Sequence, residues 1–459
     1  MNYDNILKDI EPNKEEIAKV HGIAYDVIEY INNKAKEENI DAIAKLVGSV
    51  AKGTWLSGNA DIDIFINFPL ETKEEELKEK GLYLAYECNN ALNGIAEEHY
   101  ASHPYITSHI NGCKVDIVPC YNIKDAEELK SAVDRTLLHT NYILANLKEE
   151  QKKEVLLLKK FMKEVGVYGS EFKVGGFAGY LCEILILQYE TFENTLKKTS
   201  HWKKNTIIDL ENYGTSKKFK EPLIAIDPTD KNRNVGAALT TQKMGEFIAS
   251  SRNFIKDPKI DYFYPKKTTT PNKEELKNLF QDRESKTLSL TFNIPDIPID
   301  NLYPQIKKTS VSLKEKLEFE GFNVINSSYW TDEKKIAIII IELDTWTQSK
   351  YKIHEGPKIW NKEASTEFLA IHGNDCYLKG EQWVLKKPRT IRTPEEYINF
   401  VLKKDNIHIL KLGKNLKDLI ADTYNLAIIE ELLLINNYCN NDFLDFLNDY
   451  LNPGKLLKR

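Results

Sequence analysis

Three aspartates in the first third of this 459-residue chain stand at strand positions where apolar side chains are expected. Asp61 and Asp63 flank Ile62 in an apolar run, and Asp116 lies within Val115–Val118. Residues two apart on a strand project from the same face, so Asp61 and Asp63 should lie together. Acidic groups at such positions are costly unless a cation neutralises them. A pair of divalent metals would do so, and Mg²⁺ suits all-oxygen ligands combined with substrate phosphates.

A second motif precedes the aspartates. Gly48-Ser49 follows a short apolar run, where a strand should turn into a helix, and eleven residues separate it from Asp61. Backbone N–H groups at such a turn bind phosphate, and glycine permits a close approach. Either motif alone is usually only a turn or a cap. Together, the order of strand, Gly-Ser, Asp-Ile-Asp and a separate strand aspartate is what two-metal nucleotidyl transfer needs.

The elements that must position these residues can be predicted from hydrophobic periodicity. Residues 13–38 have helical spacing, 42–47 and 62–66 read as strands, and 72–98 form a charged amphipathic helix. Two further strands, Tyr105–Ile110 and Lys114–Val118, flank Asn111-Gly112, which is a strong hairpin signal. The N-terminal part therefore predicts the order α-β-loop-β-α-β-β, a small mixed sheet with helices on one side.

The remainder of the chain predicts a helical segment followed by a second α+β region. The pattern is helical from Val133 to about Phe254, and the Pro- and Thr-containing stretch Ile260–Lys277 reads as a linker. Beyond the linker, the predicted strands are Thr287–Phe292, Gly321–Ser328 and Lys335–Leu343. The predicted helices are Lys314–Glu320, Pro394–Lys403 and Leu426–Leu451.

Composition describes an ordinary globular protein whose charge is divided unevenly. The net charge is −6, but residues 1–150 carry −12, residues 151–270 carry +7 and residues 271–459 carry −1. A basic middle segment points weakly toward a polyanionic partner. We expect no signal peptide at Met1–Ile10, no membrane span, and no disulfide framework from cysteines that form no CxxC pair. A cytoplasmic protein without membrane association is predicted.

The motif order Gly48-Ser49, Asp61-Ile62-Asp63 and Asp116 resembles the DNA polymerase β-like nucleotidyltransferase superfamily. Further stretches resemble the archaeal-type (class I) CCA-adding enzymes, which are tRNA nucleotidyltransferases, and the resemblance spans most of the chain. These stretches are Val133–Thr136, His139–Tyr142, Leu158–Phe161, Tyr168–Glu171, Gly175–Phe177, Asp227-Pro228, Arg233–Val235 and His354–Pro357. We find no Arg-Arg-Asp motif of the kind that characterises the class II enzymes.

The resemblance implies a role for each matching residue. Asp61, where family members often carry Glu, and Asp63 would hold the Mg²⁺ that carries the triphosphate. With Asp116 they would hold a second Mg²⁺, which activates the tRNA 3′-hydroxyl. The nucleotide-binding positions implied by the match are Gly48, Ser49, Lys52, His139, Lys159, Tyr168 and Arg233. Of these, Arg233 matches the residue that completes the pocket reading C and A.

The implied fold is α+β, with three domains. Residues 1–146 would form a polymerase β-like catalytic head with a mixed sheet and helices. Residues 147–265 would form a mostly helical neck that binds nucleotide and primer, and residues 266–459 an α+β body and tail that binds tRNA. The implied partners are CTP, ATP and the acceptor arm and 3′ end of tRNA. The sequence leaves open whether the chain acts as a homodimer.

Two other functions remain open at this level. One is a different polymerase β-like terminal transferase, such as a poly(A) polymerase, which would use one nucleotide and accept generic RNA. The other is a non-catalytic RNA-binding relative, although a binding module has no need for a costly acidic cluster. Lys386, Lys387, Arg389 and Arg392 form a basic cluster that is a candidate tRNA contact.

Overall fold

The computed structural model describes residues 1–100, 103–266, 269–435 and 440–457. Two compact units divide the chain: Met1–Lys267 with Gly454–Arg459, and Thr268–Pro453. Within the described residues, no helix is both long enough and apolar enough to cross a membrane.

The first unit begins with a mixed five-stranded sheet and the helices that cover it. In chain order these elements are α1 (Asp4–Ile10), α2 (Lys14–Glu37), β1 (Ile43–Val47), α3 (Gly48–Lys52), β2 (Asp61–Phe68), α4 (Glu74–Ala91), β3 (Ile95–Tyr100), β4 (Pro104–Ile110) and β5 (Cys113–Tyr121). The sheet order is β1-β2-β5-β4-β3, and only β2 and β5 pair in parallel. The predicted mixed sheet is confirmed.

The core of this sheet explains why the aspartate-bearing strand forms. Ile62, Ile64 and Ile66 of β2 are fully buried and pack in one core with apolar residues of α2 and α4. The hairpin between β4 and β5 turns at Asn111-Gly112, and both residues have positive φ, as a tight hairpin turn requires. The hairpin prediction is therefore confirmed.

The rest of the first unit is a helical layer with its own core and a small sheet. Its elements are α5 (Arg135–Asn146), α6 (Glu149–Glu164), α7 (Gly179–Tyr189), α8 (Phe192–Thr199), β6 (Thr206–Ile208), β7 (Leu223–Asp227), β8 (Asp230–Asn234) and α9 (Thr241–Lys256). Aromatic side chains such as Phe161, Phe192 and Phe254 dominate the core. The strands β6-β7-β8 form one sheet.

The second unit is also α+β, with two sheets. It contains α10 (Lys273–Gln281), β9 (Lys286–Asn293), α11 (Ile299–Phe319), β10 (Val324–Thr331), β11 (Ile336–Leu343), β12 (Tyr351–Lys358), α12 (Lys362–His372), β13 (Cys376–Lys379), β14 (Gln382–Pro388), α13 (Pro394–Val401), α14 (Lys417–Thr423), β15 (Asn425–Ile428), α15 (Ile429–Leu432) and α16 (Asn441–Leu451). The sheet orders are β10-β11-β9-β15 and β12-β14-β13.

Three secondary-structure predictions were wrong in part. The helix expected over 72–98 ends at Ala91, because Asn93-Gly94 interrupts it before β3, and Asn93 has φ +52°. The stretch expected to be helical from Val133 to Phe254 contains β6, β7 and β8. The helix expected over Leu426–Leu451 begins instead as β15, which pairs with β9; residues 436–439 of that prediction lie outside the described residues.

Candidate active site

The three aspartates meet at one end of the paired strands β2 and β5. Asp63 stands directly opposite Asp116 in the parallel register, and Asp61 precedes it on the same strand. The hydroxyl of Thr107, on β4, donates a 2.6 Å hydrogen bond to Asp116 Oδ1 and orients that carboxylate. Parallel pairing of two apolar strands thus brings acidic groups that are 53 residues apart in sequence side by side.

Like charge and burial shape the electrostatics of this acidic cluster. Burial, followed by the nearby carboxylates of Asp116 and Asp61, raises the pKa of Asp63 to about 7. The ammonium of Lys114 lies 3.2 Å from Asp116 Oδ2 and 3.7 Å from Asp61 Oδ1. Burial alone would lower the pKa of Lys114, but these two carboxylates raise it. The cluster therefore holds more negative charge than the single lysine neutralises.

The acidic cluster has the donor chemistry that a hard divalent cation requires. Its ligands would be carboxylate oxygens on adjacent strands, the set that Mg²⁺ prefers. A bound cation would oppose the burial and the neighbouring carboxylates that raise the pKa of Asp63. Among the described residues, no three acidic, histidine or cysteine side chains already converge into a metal centre. In this arrangement Lys114 contacts two of the carboxylates, and Asp63 lies against Gly48.

The Gly48-Ser49 turn joins the acidic cluster to α3. Gly48 has φ +73°, and a Cβ added there would lie 2.0 Å from Asp63 Oδ2, so only glycine fits beside that carboxylate. The Gly48 N–H donates to Thr140 Oγ1 on α5 at 3.2 Å. Ser49 and Lys52 follow within the same short helix, and Ser49 is half-buried. The predicted phosphate-binding turn therefore lies directly against the predicted metal ligands.

A buried ionic cluster links α3 to the helical layer. Lys52 Nζ lies 2.6 Å from Glu183 Oε2 on α7, and Lys159 Nζ, on α6, lies 3.8 Å from Glu183 Oε1. Thr54 Oγ1 donates to Glu183 Oε1 at 2.6 Å, and its carbonyl accepts from Lys159 at 2.8 Å. Complete burial lowers the pKa of Lys159 most, and Glu183 opposes that shift. Two predicted nucleotide-binding lysines thus share one carboxylate.

Tyr168 lies beside this ionic cluster. A Cβ added to Gly179, the first residue of α7, would lie 3.1 Å from Tyr168 Oη and 3.5 Å from Lys159 Nζ. Burial raises the pKa of the Tyr168 phenol, and nearby negative groups add to the shift. The phenol therefore remains a neutral hydrogen-bonding group, near Lys159, with which the family resemblance grouped it.

His139 and Arg233 meet around a second buried carboxylate, that of Asp227. His139 Nε2 lies 2.7 Å from Asp227 Oδ2, and Arg233 Nη1 donates to the same oxygen at 2.8 Å. The Tyr180 ring stacks on the imidazole at 3.9 Å between centroids, and its hydroxyl reaches Asp227 Oδ1 at 3.3 Å. Burial opposes ionisation of Asp227, but the bond to His139 and the other donors hold its pKa well below its usual range.

A cavity of about 380 Å³ opens beside this group. Its lining residues include His139, Tyr180, Arg233, Ser170, Phe219 and Ala237. Its size falls within the range of small-molecule sites, and it combines aromatic faces with a few polar groups. Such a lining suits a flat, hydrogen-bonding ring such as a nucleobase.

The structure thus brings the predicted residues into one continuous region of the first unit. The missed residues are Glu183, Asp227, Tyr180, Thr107 and Lys114. Asp227-Pro228 was part of the resemblance, yet the aspartate had no role there. Glu183 sits within an almost wholly apolar helix, and an isolated acidic residue in such a helix is the signal that could have revealed it.

Family comparisons agree with this geometry along the chain. Residues 27–139 match the nucleotidyltransferase domain, residues 153–264 the tRNA nucleotidyltransferase second domain, and residues 283–428 the C-terminal domain of CCA-adding enzymes. The CCA-adding enzyme of Methanothermobacter thermautotrophicus is 46% identical over 457 residues, covering 100% of this chain and 99% of that protein. The chain belongs to the archaeal CCA-adding enzyme family. The predicted family and the predicted enzyme class, a nucleotidyltransferase, are confirmed.

Other family members match along most of their length. The CCA-adding enzyme of Archaeoglobus fulgidus is 33% identical over 430 residues, which cover 94% of this chain and 94% of that protein. The CCA-adding enzyme of Methanocaldococcus jannaschii is 37% identical over 391 residues, which cover 81% of this chain and 85% of that protein. Among solved structures, the RNA terminal uridylyl transferase Cid1 is 14% identical with a TM-score of 0.46. It covers 58% of this chain and 97% of its own. The predicted α+β class with a polymerase β-like nucleotidyltransferase domain is also confirmed.

Proposed function

We propose that this protein adds and repairs the 3′-terminal CCA of tRNA, from CTP and ATP and without a nucleic-acid template. The observation that carries the proposal is the set of three aspartates at the β2–β5 sheet end, beside a glycine turn, in a member of this family. Because its substrates are tRNA and cytoplasmic nucleotides, we expect the protein to work in the cytoplasm, and we leave a homodimer as an open prediction.

Asp61 and Asp63 would hold one Mg²⁺, and with Asp116 a second. When bound, such a metal pair supplies charge neutralisation at the attacking and leaving oxygens of nucleotidyl transfer. The protein's own contribution is to fix the ligands. Thr107 holds Asp116, and the Gly48 turn packs against Asp63. Lys114 would give up its carboxylate contacts as the cations enter, since its ammonium touches two of the proposed ligands.

The remaining residues would bind and orient the nucleotide. A basic and hydrogen-bonding site for a triphosphate would consist of the Gly48-Ser49 turn, Lys52, Lys159 and Tyr168. The cavity beside His139 and Arg233 would take the base, and Asp227 holds both side chains through one oxygen. Positioning of this kind supplies much of the rate in phosphoryl and nucleotidyl transfer.

One assay tests the activity. The protein is incubated with Mg²⁺ and tRNA lacking its last three nucleotides, and CTP and ATP are supplied singly and together. Ordered addition of two C and then one A is expected. A-tailing without C would indicate a poly(A) polymerase-like activity instead, and no incorporation would indicate a non-catalytic RNA-binding protein.

A further inference from the structure

The buried cluster around Glu183 contains two lysines and one carboxylate. Two ammonium groups, those of Lys52 and Lys159, face a single carboxylate, and their side chains are only 7% and 4% exposed. Buried ion pairs are often replaceable by apolar residues without loss of stability, so stability alone does not account for this cluster. Two buried lysines that share one carboxylate next to the Gly48-Ser49 turn are expected where an anion completes the site.

Glu183 is held rigidly, as an anchor must be. It lies on α7 among fully buried Cys182, Ile184 and Leu185, and its own exposure is 0%. The Thr54 hydroxyl fixes one carboxylate oxygen at 2.6 Å, and Lys52 fixes the other at 2.6 Å. An ammonium carries three N–H donors. Lys52 uses one on Glu183 and Lys159 uses one on the Thr54 carbonyl, so each lysine keeps further donors for an incoming anion.

The anchor also joins separate structural layers. Lys52 and Thr54 come from the chain that follows β1, whereas Lys159 and Glu183 come from α6 and α7 of the helical layer. Glu183 and the Thr54 carbonyl together hold two lysines whose elements, α3 and α6, pack in different hydrophobic cores.

We propose that Glu183 is a positioning residue for nucleotide binding, whose carboxylate holds the Lys52 and Lys159 ammonium groups in place to grip the triphosphate. This inference rests on the proposed function, because it takes both lysines as triphosphate contacts. It makes a prediction opposite to simple electrostatics. A carboxylate that merely repelled phosphate would strengthen phosphate binding when neutralised, whereas loss of an anchor weakens it.

The test measures binding of inorganic tripolyphosphate to the full chain by titration calorimetry. Glu183→Gln keeps the size of the side chain and removes its charge. We expect it to weaken tripolyphosphate binding about tenfold or more, and to raise the KM for CTP and ATP more than it lowers kcat. Glu342→Gln is the matched control: Glu342 is a 1% exposed carboxylate paired with Arg283 in the second unit, and its replacement should leave tripolyphosphate binding unchanged.

A second pair of variants covers the case in which Glu183→Gln does not fold. Thr54→Val removes the hydroxyl that fixes Glu183, and Thr54→Ser keeps it, so only the first should weaken tripolyphosphate binding. The inference is overturned if Glu183→Gln binds tripolyphosphate as tightly as the wild-type protein or more tightly. If Glu183→Gln does not fold, the same result with Thr54→Val overturns it. The proposed function fails separately, if the wild-type protein does not extend truncated tRNA with CTP and ATP.

Discussion

At the scale of single residues, the acidic cluster determines what the protein can catalyse. Asp63 is the most constrained of its members, because it faces Asp116 across the ladder and Gly48 across the turn. Burial and the neighbouring carboxylates disfavour ionisation of Asp63 in the metal-free protein. A bound cation would favour the ionised carboxylate.

We expect Asp63→Ala or Asp116→Ala to reduce nucleotide addition by at least about a thousandfold, since each removes a proposed metal ligand and with it several kcal/mol of transition-state stabilisation. Binding of tRNA should stay close to wild type, because neither residue is part of a basic surface. Filter binding and primer extension on the same preparations measure both quantities. Near-normal turnover of either variant would show that the metal ligands lie elsewhere.

The raised pKa of Asp63 predicts a pH dependence of stability in the metal-free protein. The unfolded chain ionises this group near its ordinary pKa of 3.8, whereas the folded protein keeps it protonated up to about pH 7. The folded state therefore binds the extra proton, and stability contributed by this group is lost as the pH rises from about 4 to about 7. Thermal unfolding in EDTA at pH 5 and pH 8 measures it.

Asp63→Asn is the reference for that experiment, because it stays neutral at every pH. The stability difference between pH 5 and pH 8 should be smaller in Asp63→Asn than in wild type, and added Mg²⁺ should restore wild-type stability at pH 8. An identical pH difference in both proteins would assign the effect to other groups.

At the scale of elements, the short helix α3 depends on the glycine at its start. Gly48→Ala places a Cβ within 2.0 Å of Asp63 Oδ2 at a backbone with φ +73°. We expect a stability loss of about 1–2 kcal/mol from the left-handed conformation and about a hundredfold loss of nucleotide addition from the displaced carboxylate. Chemical denaturation and steady-state kinetics measure these effects.

Gly22→Ala is the control for that variant. Gly22 lies inside α2, and a Cβ added there would meet nothing within 4 Å. It should leave nucleotide addition unchanged and stabilise the protein slightly, because alanine favours a helix interior. Equal nucleotide addition by Gly48→Ala and Gly22→Ala would show that Gly48 is not part of the active site.

The strands that were missed show how elements depend on their partners. Strand β8, Asp230–Asn234, consists entirely of polar residues and has no strand signal of its own, yet it pairs with the fully buried β7 and carries Arg233. Strand β3 lies at the edge of its sheet, is held by β4, and carries the consecutive acidic residues Glu97 and Glu98. Such strands form because a neighbour supplies the hydrogen-bonding edge, so local propensity cannot predict them.

At the scale of the whole molecule, the second unit carries a basic sheet surface. Lys352 and Lys387 stand directly opposite each other on β12 and β14, and Lys386, which precedes Lys387, is exposed on the other face of β14. Like charges at opposed positions destabilise a sheet pair, so this arrangement favours a polyanion as its partner. Trp360 is 78% exposed on the same segment of the chain and offers an aromatic face to a base.

We expect Lys386→Ala with Lys387→Ala to weaken tRNA binding. The double variant should also reduce the salt dependence of that binding, by about one unit of slope for each phosphate that the lysines no longer neutralise. The affinity for CTP should not change, because the residues proposed to bind nucleotide all lie in the first unit. The exposed pair Lys334 and Lys335, in the turn between β10 and β11, provides the matched control. Equal tRNA affinity and salt slope in the two double variants would exclude this surface.

The chemistry proposed for the site can be predicted from the amino-acid sequence. The spacing of Gly48, Asp61, Asp63 and Asp116 within apolar runs predicted a two-strand acidic cluster next to a phosphate-binding turn, because strand alternation and chain order are local properties. The family resemblance added Lys52, His139, Lys159, Tyr168 and Arg233, and the structure places them in the same region of the first unit.

The way in which those residues are held depends on tertiary contacts that the sequence does not reveal. Lys52 and Lys159 share Glu183, and His139 and Arg233 share Asp227. Three of these contacts join residues 24 to 131 positions apart in sequence, and the contact of Arg233 depends on the formation of strand β8. Buried carboxylates of this kind have no periodic signature, since each is one polar residue among apolar neighbours. Their partners are selected by packing, and packing exists only once the separate elements have come together.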